Sequence, residues 1–163
     1  MRSVVASSCR AAIASALLAT APLRAADTGA PLIQNGRVTV WDVAPGTAVR
    51  PSAPMRDTVI FLIRDGTAEA RFEAAGTAAA PIPAGTRAIV IVLEDGRVPG
   101  LANTSGYPPA FPRAGSRKVL ENERVVVWQS EWTPGVATPM HFHDKDVVVT
   151  YLAEGAMTST DAR

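Results

Sequence analysis

The sequence predicts an all-β fold, either a sandwich or a small barrel of short strands. Runs rich in Val, Ile, Thr and aromatic residues alternate with turns, and 13 prolines and 12 glycines interrupt the 163 residues. No segment after residue 26 has the 3.6-residue apolar period of an amphipathic helix. The hydrophobic fraction of 47% and the charged fraction of 19% are typical of a folded protein with a core, which argues against disorder.

Residues 1–26 match a secretory signal peptide. Two arginines precede an apolar stretch over 11–21, and small residues follow it. We expect cleavage after Ala25 or Ala26, with Ala21 as a further site, and a periplasmic or secreted mature protein. The alternative is a disordered N-terminal extension. The apolar stretch is shorter than the ~18 residues that cross a bilayer, so we expect no membrane span.

The net charge and the cysteine content argue against several classes of function. The formal net charge of +1 is too balanced for a nucleic-acid-binding surface, so we expect no nucleic-acid partner. The one cysteine, Cys9, lies in the leader, so the mature chain has no thiolate nucleophile and no cysteine-based metal site. The sequence contains no glycine-rich phosphate loop and no Ser-His-Asp order.

An internal repeat organises the chain after the leader. The heptapeptide that begins at Asn35 recurs at Asn122, 87 residues later, with five of seven positions identical. A Pro-Gly pair, a β-rich run and a turn with glycine follow each copy in the same order. We therefore predict two β-units, over 32–98 and 116–163, joined by a proline-rich linker loop over 99–115. Chance similarity of two short β-rich segments is the alternative.

The predicted strands are short and separated by turns. They cover 37–42, 58–63, 68–72 and 88–93 in unit one, and 124–132, 147–152 and 157–160 in unit two. Unit two has no counterpart of 76–97, so we expect its sheet to be incomplete. Either the sequence is a fragment or another chain completes this sheet, and the unpaired edge favours a homodimer.

Both histidines of the chain lie close together, at His141 and His143. In a strand, residues two apart point to the same face, so both imidazoles can meet one metal ion. The alternative is an exposed or core-rim pair that binds no metal. Asp144 and Asp146 are candidates for a carboxylate ligand, as in non-haem iron sites, although aspartates are also common in solvated turns.

The histidine pair belongs to a longer pattern of fixed spacing. Gly135, five residues, His141-x-His143, four residues, Val148, six residues and Gly155 follow one another. This pattern resembles the first sequence motif of the cupin family, in which a glutamate stands where this chain has Val148. Val148→Glu should then tighten metal binding at the histidines.

Unit one has the same spacing pattern but lacks the metal-binding residues of the cupin motif. Ser52, Pro54 and Val59 stand where the cupin motif has two histidines and the glutamate. The sequence over 83–85 resembles the centre of the family's second motif, but Ala88 replaces its histidine.

The resemblance implies a bicupin-like protein with two cupin-like β-barrels or jelly rolls, the second of them incomplete. It implies no metal ligands in unit one and only His141 and His143 in unit two, where we expect at most weak binding of a divalent metal ion and no other cofactor. A non-catalytic module that binds a small-molecule ligand is favoured. The alternatives are a metal-dependent, dioxygenase- or isomerase-like enzyme whose site is completed outside this chain, and a structural or vestigial protein.

Two further expectations concern residues outside the motif. Trp41, Trp128 and Trp132 are interpreted as core residues rather than as a stacking surface for a sugar. Arg124 is interpreted as an ordinary surface charge.

Overall fold

The computed structural model describes residues 29–47, 55–94 and 99–160. All regular elements of these residues are β-strands in antiparallel sheets, without a helix, which confirms the all-β class. The described ranges accordingly contain no helix of the length and apolarity that a membrane crossing requires. The predicted leader and the motif positions Ser52 and Pro54 lie outside the described residues.

The larger sheet has the strand order β1-β2-β5-β3-β4. Its strands are β1 (Ile33–Gln34), β2 (Val38–Val43), β3 (Thr58–Arg64), β4 (Thr67–Glu73) and β5 (Arg87–Leu93). After Arg87, the central strand β5 is an unbroken apolar run, as expected for a strand that is covered on both faces. Ala88, Val90 and Val92 belong to the core cluster on one face, whereas Ile89 and Ile91 belong to the cluster on the other.

The strands predicted for unit one correspond to β2, β3, β4 and β5 within one residue at each end. Asp65 and Gly66 close the β3–β4 hairpin, and both have positive φ angles, of 51° and 71°. A two-residue loop of this kind matches the right-handed twist of the flanking strands, which explains the Asp-Gly dipeptide at this position.

The smaller sheet is a hairpin of β6 (Ser116–Glu121) and β7 (Val126–Ser130). β7 falls within the predicted strand over 124–132. β6 was not predicted, because three of its six side chains are charged and its apolar pattern is weak.

The strands predicted over 147–152 and 157–160 are wrong, because these residues form no ladder. Residues 147–151 alternate between exposed and half-buried side chains, as in a strand, but no neighbouring strand pairs with them. In unit one the equivalent strand β3 pairs with both β4 and β5.

The two copies of the repeated heptapeptide form the same turn. The Oδ1 atom of Asn35 accepts hydrogen bonds from the N–H groups of Arg37 and Val38 at 2.8 and 2.9 Å. The Oδ1 atom of Asn122 accepts equivalent bonds two and three residues later, at the same distances. In each copy the asparagine N–H also donates to the carbonyl three residues later at 3.0 Å. Asparagine favours such a turn because its side chain satisfies backbone N–H groups locally.

Two arginines from these turns form ion pairs with the opposite unit. The Nε atom of Arg37 lies 2.7 Å from an Asp146 carboxylate oxygen, and Nε of Arg124 lies 2.7 Å from an Asp57 carboxylate oxygen. The repeat relates Arg37 to Arg124 and Asp57 to Asp146, so the contact is reciprocal. The side chains of Arg124 and Asp57 are only 20% and 23% exposed, so the interpretation of Arg124 as an ordinary surface charge is wrong.

The apolar contact between the units follows the same pairing. One core cluster contains the buried residues Val40, Val59, Ile89 and Ile91. Three residues of unit two pack against it: Val125, Val127 and Val148. Their counterparts under the repeat are Val38, Val40 and Val59, which belong to or pack against the same cluster. Val148 therefore contributes to a shared apolar core.

Candidate metal centre

The histidines lie on an extended segment with a single β-bridge, rather than on the full strand that would fix their common face. Phe142, between them, bridges Pro109 in parallel orientation. The Phe142 N–H donates to the Pro108 carbonyl at 2.9 Å, and the Phe142 carbonyl accepts from the Ala110 N–H at 2.8 Å. Residues of the predicted linker thus hold the histidine segment in place, a contact with no local signal in the sequence.

The two imidazoles converge, as their spacing predicts. Nε2 of His141 lies 3.0 Å from Nε2 of His143, and the ring planes meet at 74°. Nδ1 of His141 lies 2.8 Å from the Pro139 carbonyl oxygen. Because a carbonyl oxygen only accepts, this Nδ1 carries the proton, and Nε2 of neutral His141 presents a lone pair.

This geometry suits two ligands of one metal ion. With metal–nitrogen distances of ~2.0–2.1 Å, nitrogens 3.0 Å apart subtend an angle of about 91–97° at the metal. That angle corresponds to adjacent positions of an octahedron, and it is narrower than the tetrahedral angle of structural zinc sites. The bond from His141 Nδ1–H to the backbone carbonyl is the support that metal-binding histidines usually have.

The candidate carboxylates have other partners. Asp146 is paired with Arg37, and Asp144 lies 3.4 Å from the Lys145 ammonium group. Within the described ranges, no group of three or more His, Cys, Asp or Glu side chains is arranged to hold a metal ion. The structure therefore brings together the two histidines but adds no acidic ligand from this part of the chain.

The environment favours the neutral form of one imidazole. Partial burial, followed by the nearby His141 and the Arg113 guanidinium, lowers the pKa of His143 below its ordinary value of 6.5, and Asp144 opposes this shift. A neutral imidazole is the form that binds metal.

Phe111 links the histidine pair to other aromatic residues. Phe111 stacks on Trp128 with ring centroids 5.0 Å apart and planes inclined by 7°, and its edge faces His143 at 6.3 Å. Trp132 lies 6.3 Å from Tyr151 with planes inclined by 37°. We call these four side chains, Phe111, Trp128, Trp132 and Tyr151, the aromatic cluster.

Arg113 joins the two halves of the aromatic cluster. Its guanidinium carbon lies 4.8 Å from the Phe111 ring centroid and 5.6 Å from that of Trp132. Sequence reasoning missed Phe111 and Arg113 because they belong to the predicted linker. Trp132 is 40% exposed, so its interpretation as a core residue is wrong.

Fold and site together define the class of the protein: an all-β chain in which two histidines converge beside an aromatic cluster. Comparison of the chain with family models, curated proteins and solved structures gave no match.

Proposed function

We propose that the chain is an exported cupin-domain protein of the two-repeat kind, which binds a small molecule without catalysing its conversion. It has at most a weak divalent-metal site at His141 and His143. The main support is the pair of imidazole nitrogens 3.0 Å apart without an acidic third ligand from the described residues.

Three observations support the two-repeat architecture. The asparagine turns at Asn35 and Asn122 have the same hydrogen bonds. The ion pairs between the units are reciprocal under the repeat. Valines at equivalent positions of both units contribute to one apolar cluster.

The non-catalytic function is favoured by the ligand count. Catalytic zinc sites in proteins have three protein ligands and one open position, whereas only two converge here. Val148, at the glutamate position of the cupin motif, packs against apolar residues instead. A divalent ion at the histidines would keep its full charge beside Phe111 without a neutralising carboxylate, which disfavours tight binding.

The alternative is a metal-dependent enzyme, dioxygenase- or isomerase-like, whose site is completed outside this chain. The hydrogen bond from His141 Nδ1 to Pro139 favours it, because such outer-shell support is a common feature of functional metal centres. A further ligand would have to come from outside the described residues.

We also propose a homodimer. Val147, Val149 and Met157 are 50–56% exposed, and they follow one another along the segment that forms no ladder. A second copy would cover these side chains and supply the missing hydrogen bonds.

Calorimetric titration with Zn²⁺, Ni²⁺ and Mg²⁺ tests the metal site. We expect Zn²⁺ and Ni²⁺ to bind with a Kd weaker than about 1 µM, and Mg²⁺, which prefers oxygen ligands, not to bind. His141→Ala and His143→Ala should each abolish binding, whereas Asp144→Asn, the matched control on the same segment, should leave it unchanged. Tight stoichiometric binding that requires both histidines would favour the enzyme. Tight binding unaffected by His141→Ala would place the site elsewhere.

A further inference from the structure

Arg113 has surroundings unlike those of the other described arginines. Five of these pair with a carboxylate, namely Arg37, Arg56, Arg71, Arg87 and Arg124. Arg64 and Arg117 instead contact the side chains of Thr86 and Gln129. The half-buried Arg113 contacts two aromatic rings, and within the described residues no carboxylate pairs with its guanidinium group.

A half-buried cation without an anion is unfavourable unless a ligand supplies the negative charge. The guanidinium group presents N–H donors in a planar fork that matches the two oxygens of a carboxylate. The imidazole of His143 and the Arg113 guanidinium both adjoin Phe111. Asp144 is the nearby acid, and its carboxylate has a lysine partner at 3.4 Å.

The side chains of the aromatic cluster differ in how much ring surface a ligand can reach. Phe111 and Trp128 are stacked almost in parallel, so each covers a face of the other. Trp132 and Tyr151 are 40% and 58% exposed, and their planes are inclined by 37° at 6.3 Å. These two rings therefore do not stack on each other. Arg113 lies over one face of Trp132, and the exposed parts of both rings remain open to a planar ligand.

We propose that Arg113, Trp132 and Tyr151 form a binding site for an aromatic carboxylate, with the carboxylate on Arg113 and the ring against Trp132 and Tyr151. This inference rests on the proposed small-molecule-binding function and adds the chemical class of the ligand. The charge of Arg113 and the flat, exposed rings are both needed, so neither a simple carboxylate nor an uncharged aromatic compound should bind as well.

The test uses the mature chain and three probes. Benzoate has both the ring and the charge, benzyl alcohol has the ring without the charge, and acetate has the charge without the ring. Binding is followed by NMR from the indole N–H signal of Trp132 and the Nε–H signal of Arg113. We expect benzoate to bind at least about tenfold more tightly than either of the other probes, as one charge-assisted hydrogen bond allows.

Substitutions identify the residues that bind benzoate. Arg113→Gln should weaken benzoate binding about tenfold, and Arg113→Lys should weaken it less. Arg117→Gln is the matched control, because it removes the same charge from an exposed arginine of β6 and should have no effect. Tyr151→Leu should also weaken binding, and this side chain is exposed enough for the variant to fold.

The outcomes separate this inference from the proposed function. Equal binding of benzoate and benzyl alcohol, or benzoate binding unchanged in Arg113→Gln, would overturn the ligand class while leaving small-molecule binding intact. Absence of benzoate binding at about 10 mM would also overturn it. The zinc titration tests the proposed metal site separately, because it uses the unsubstituted chain and the two histidine variants.

Discussion

At the residue scale, the candidate centre depends on which imidazole nitrogens carry protons. The Pro139 carbonyl keeps the proton of His141 on Nδ1. Nε2 of His141 therefore has a lone pair, which accepts from Nε2–H of His143 without metal and can bind a metal ion once that proton is released. Partial burial, His141 and Arg113 together favour the neutral form of His143. The histidine pair is therefore prepared for metal binding even though it lacks a carboxylate.

A pH titration of the metal-free chain tests this electrostatic account. We expect NMR to show a pKa for His143 below 6.5, and Arg113→Gln to raise that pKa because it removes a nearby positive charge. Metal binding requires neutral imidazoles, so zinc affinity should fall as pH decreases through the pKa of His143. A pKa of His143 above 6.5, or one that falls in Arg113→Gln, would contradict the account.

Val148→Glu tests the correspondence with the cupin motif. The motif alone predicts that this change tightens metal binding. The structure instead predicts a loss of about 1–3 kcal/mol in the free energy of unfolding, because the carboxylate would lie against an apolar cluster. Urea denaturation measures this loss, and Val149→Glu is the control, since Val149 is 51% exposed and should tolerate the change within about 0.5 kcal/mol. Tighter zinc binding by a stable Val148→Glu variant would instead support the correspondence of position 148 with the glutamate of the cupin motif.

At the element scale, the sequence predicts strands that have β-branched runs and clear turn residues at their ends. It does not predict strand pairing that depends on distant segments. The strands of unit one have β-branched runs and clear turn residues, and they match the expectation. β6 has too many charges for a pattern-based prediction. Residues 147–152 have the β-forming composition but no partner strand, which shows that composition alone does not form a ladder.

The reciprocal ion pairs between the units should differ in strength. Arg124 and Asp57 are 20% and 23% exposed, whereas Arg37 and Asp146 are 41% and 64% exposed. Urea denaturation should show a loss of about 1–3 kcal/mol for Arg124→Ala, because the more buried Asp57 loses its partner. Arg37→Ala should cost less than about 1 kcal/mol. Equal losses for the two variants would show that burial does not distinguish these pairs.

At the scale of the whole molecule, the surroundings of the histidines depend on contacts between segments that are distant in the sequence. The convergence of His141 and His143 follows from their spacing alone. Their contact with Phe111 and their proximity to Arg113 depend on where the 99–115 segment lies, and that position is set by hydrogen bonds to Phe142. Prolines in this segment hid its role, because they are typical of linkers as well as of well-packed loops.

Self-association is the prediction at this scale. Sedimentation at increasing concentration should show a dimer, because exposed apolar side chains follow an extended segment without a partner strand. Val147→Lys should weaken the dimer, whereas Met55→Lys, at an 88% exposed position of unit one, should not. A monomer at all concentrations, with slow amide exchange over 147–152, would contradict the prediction.

The most direct test of the two-histidine centre is ¹⁵N NMR of both imidazoles during a zinc titration. We expect the Nε2 signals of His141 and His143 to shift together, with one zinc ion per chain, while Nδ1 of His141 keeps its proton and its bond to Pro139. A shift at only one histidine, or coordination through Nδ1 of His141, would contradict the convergence of the two Nε2 atoms on one metal ion.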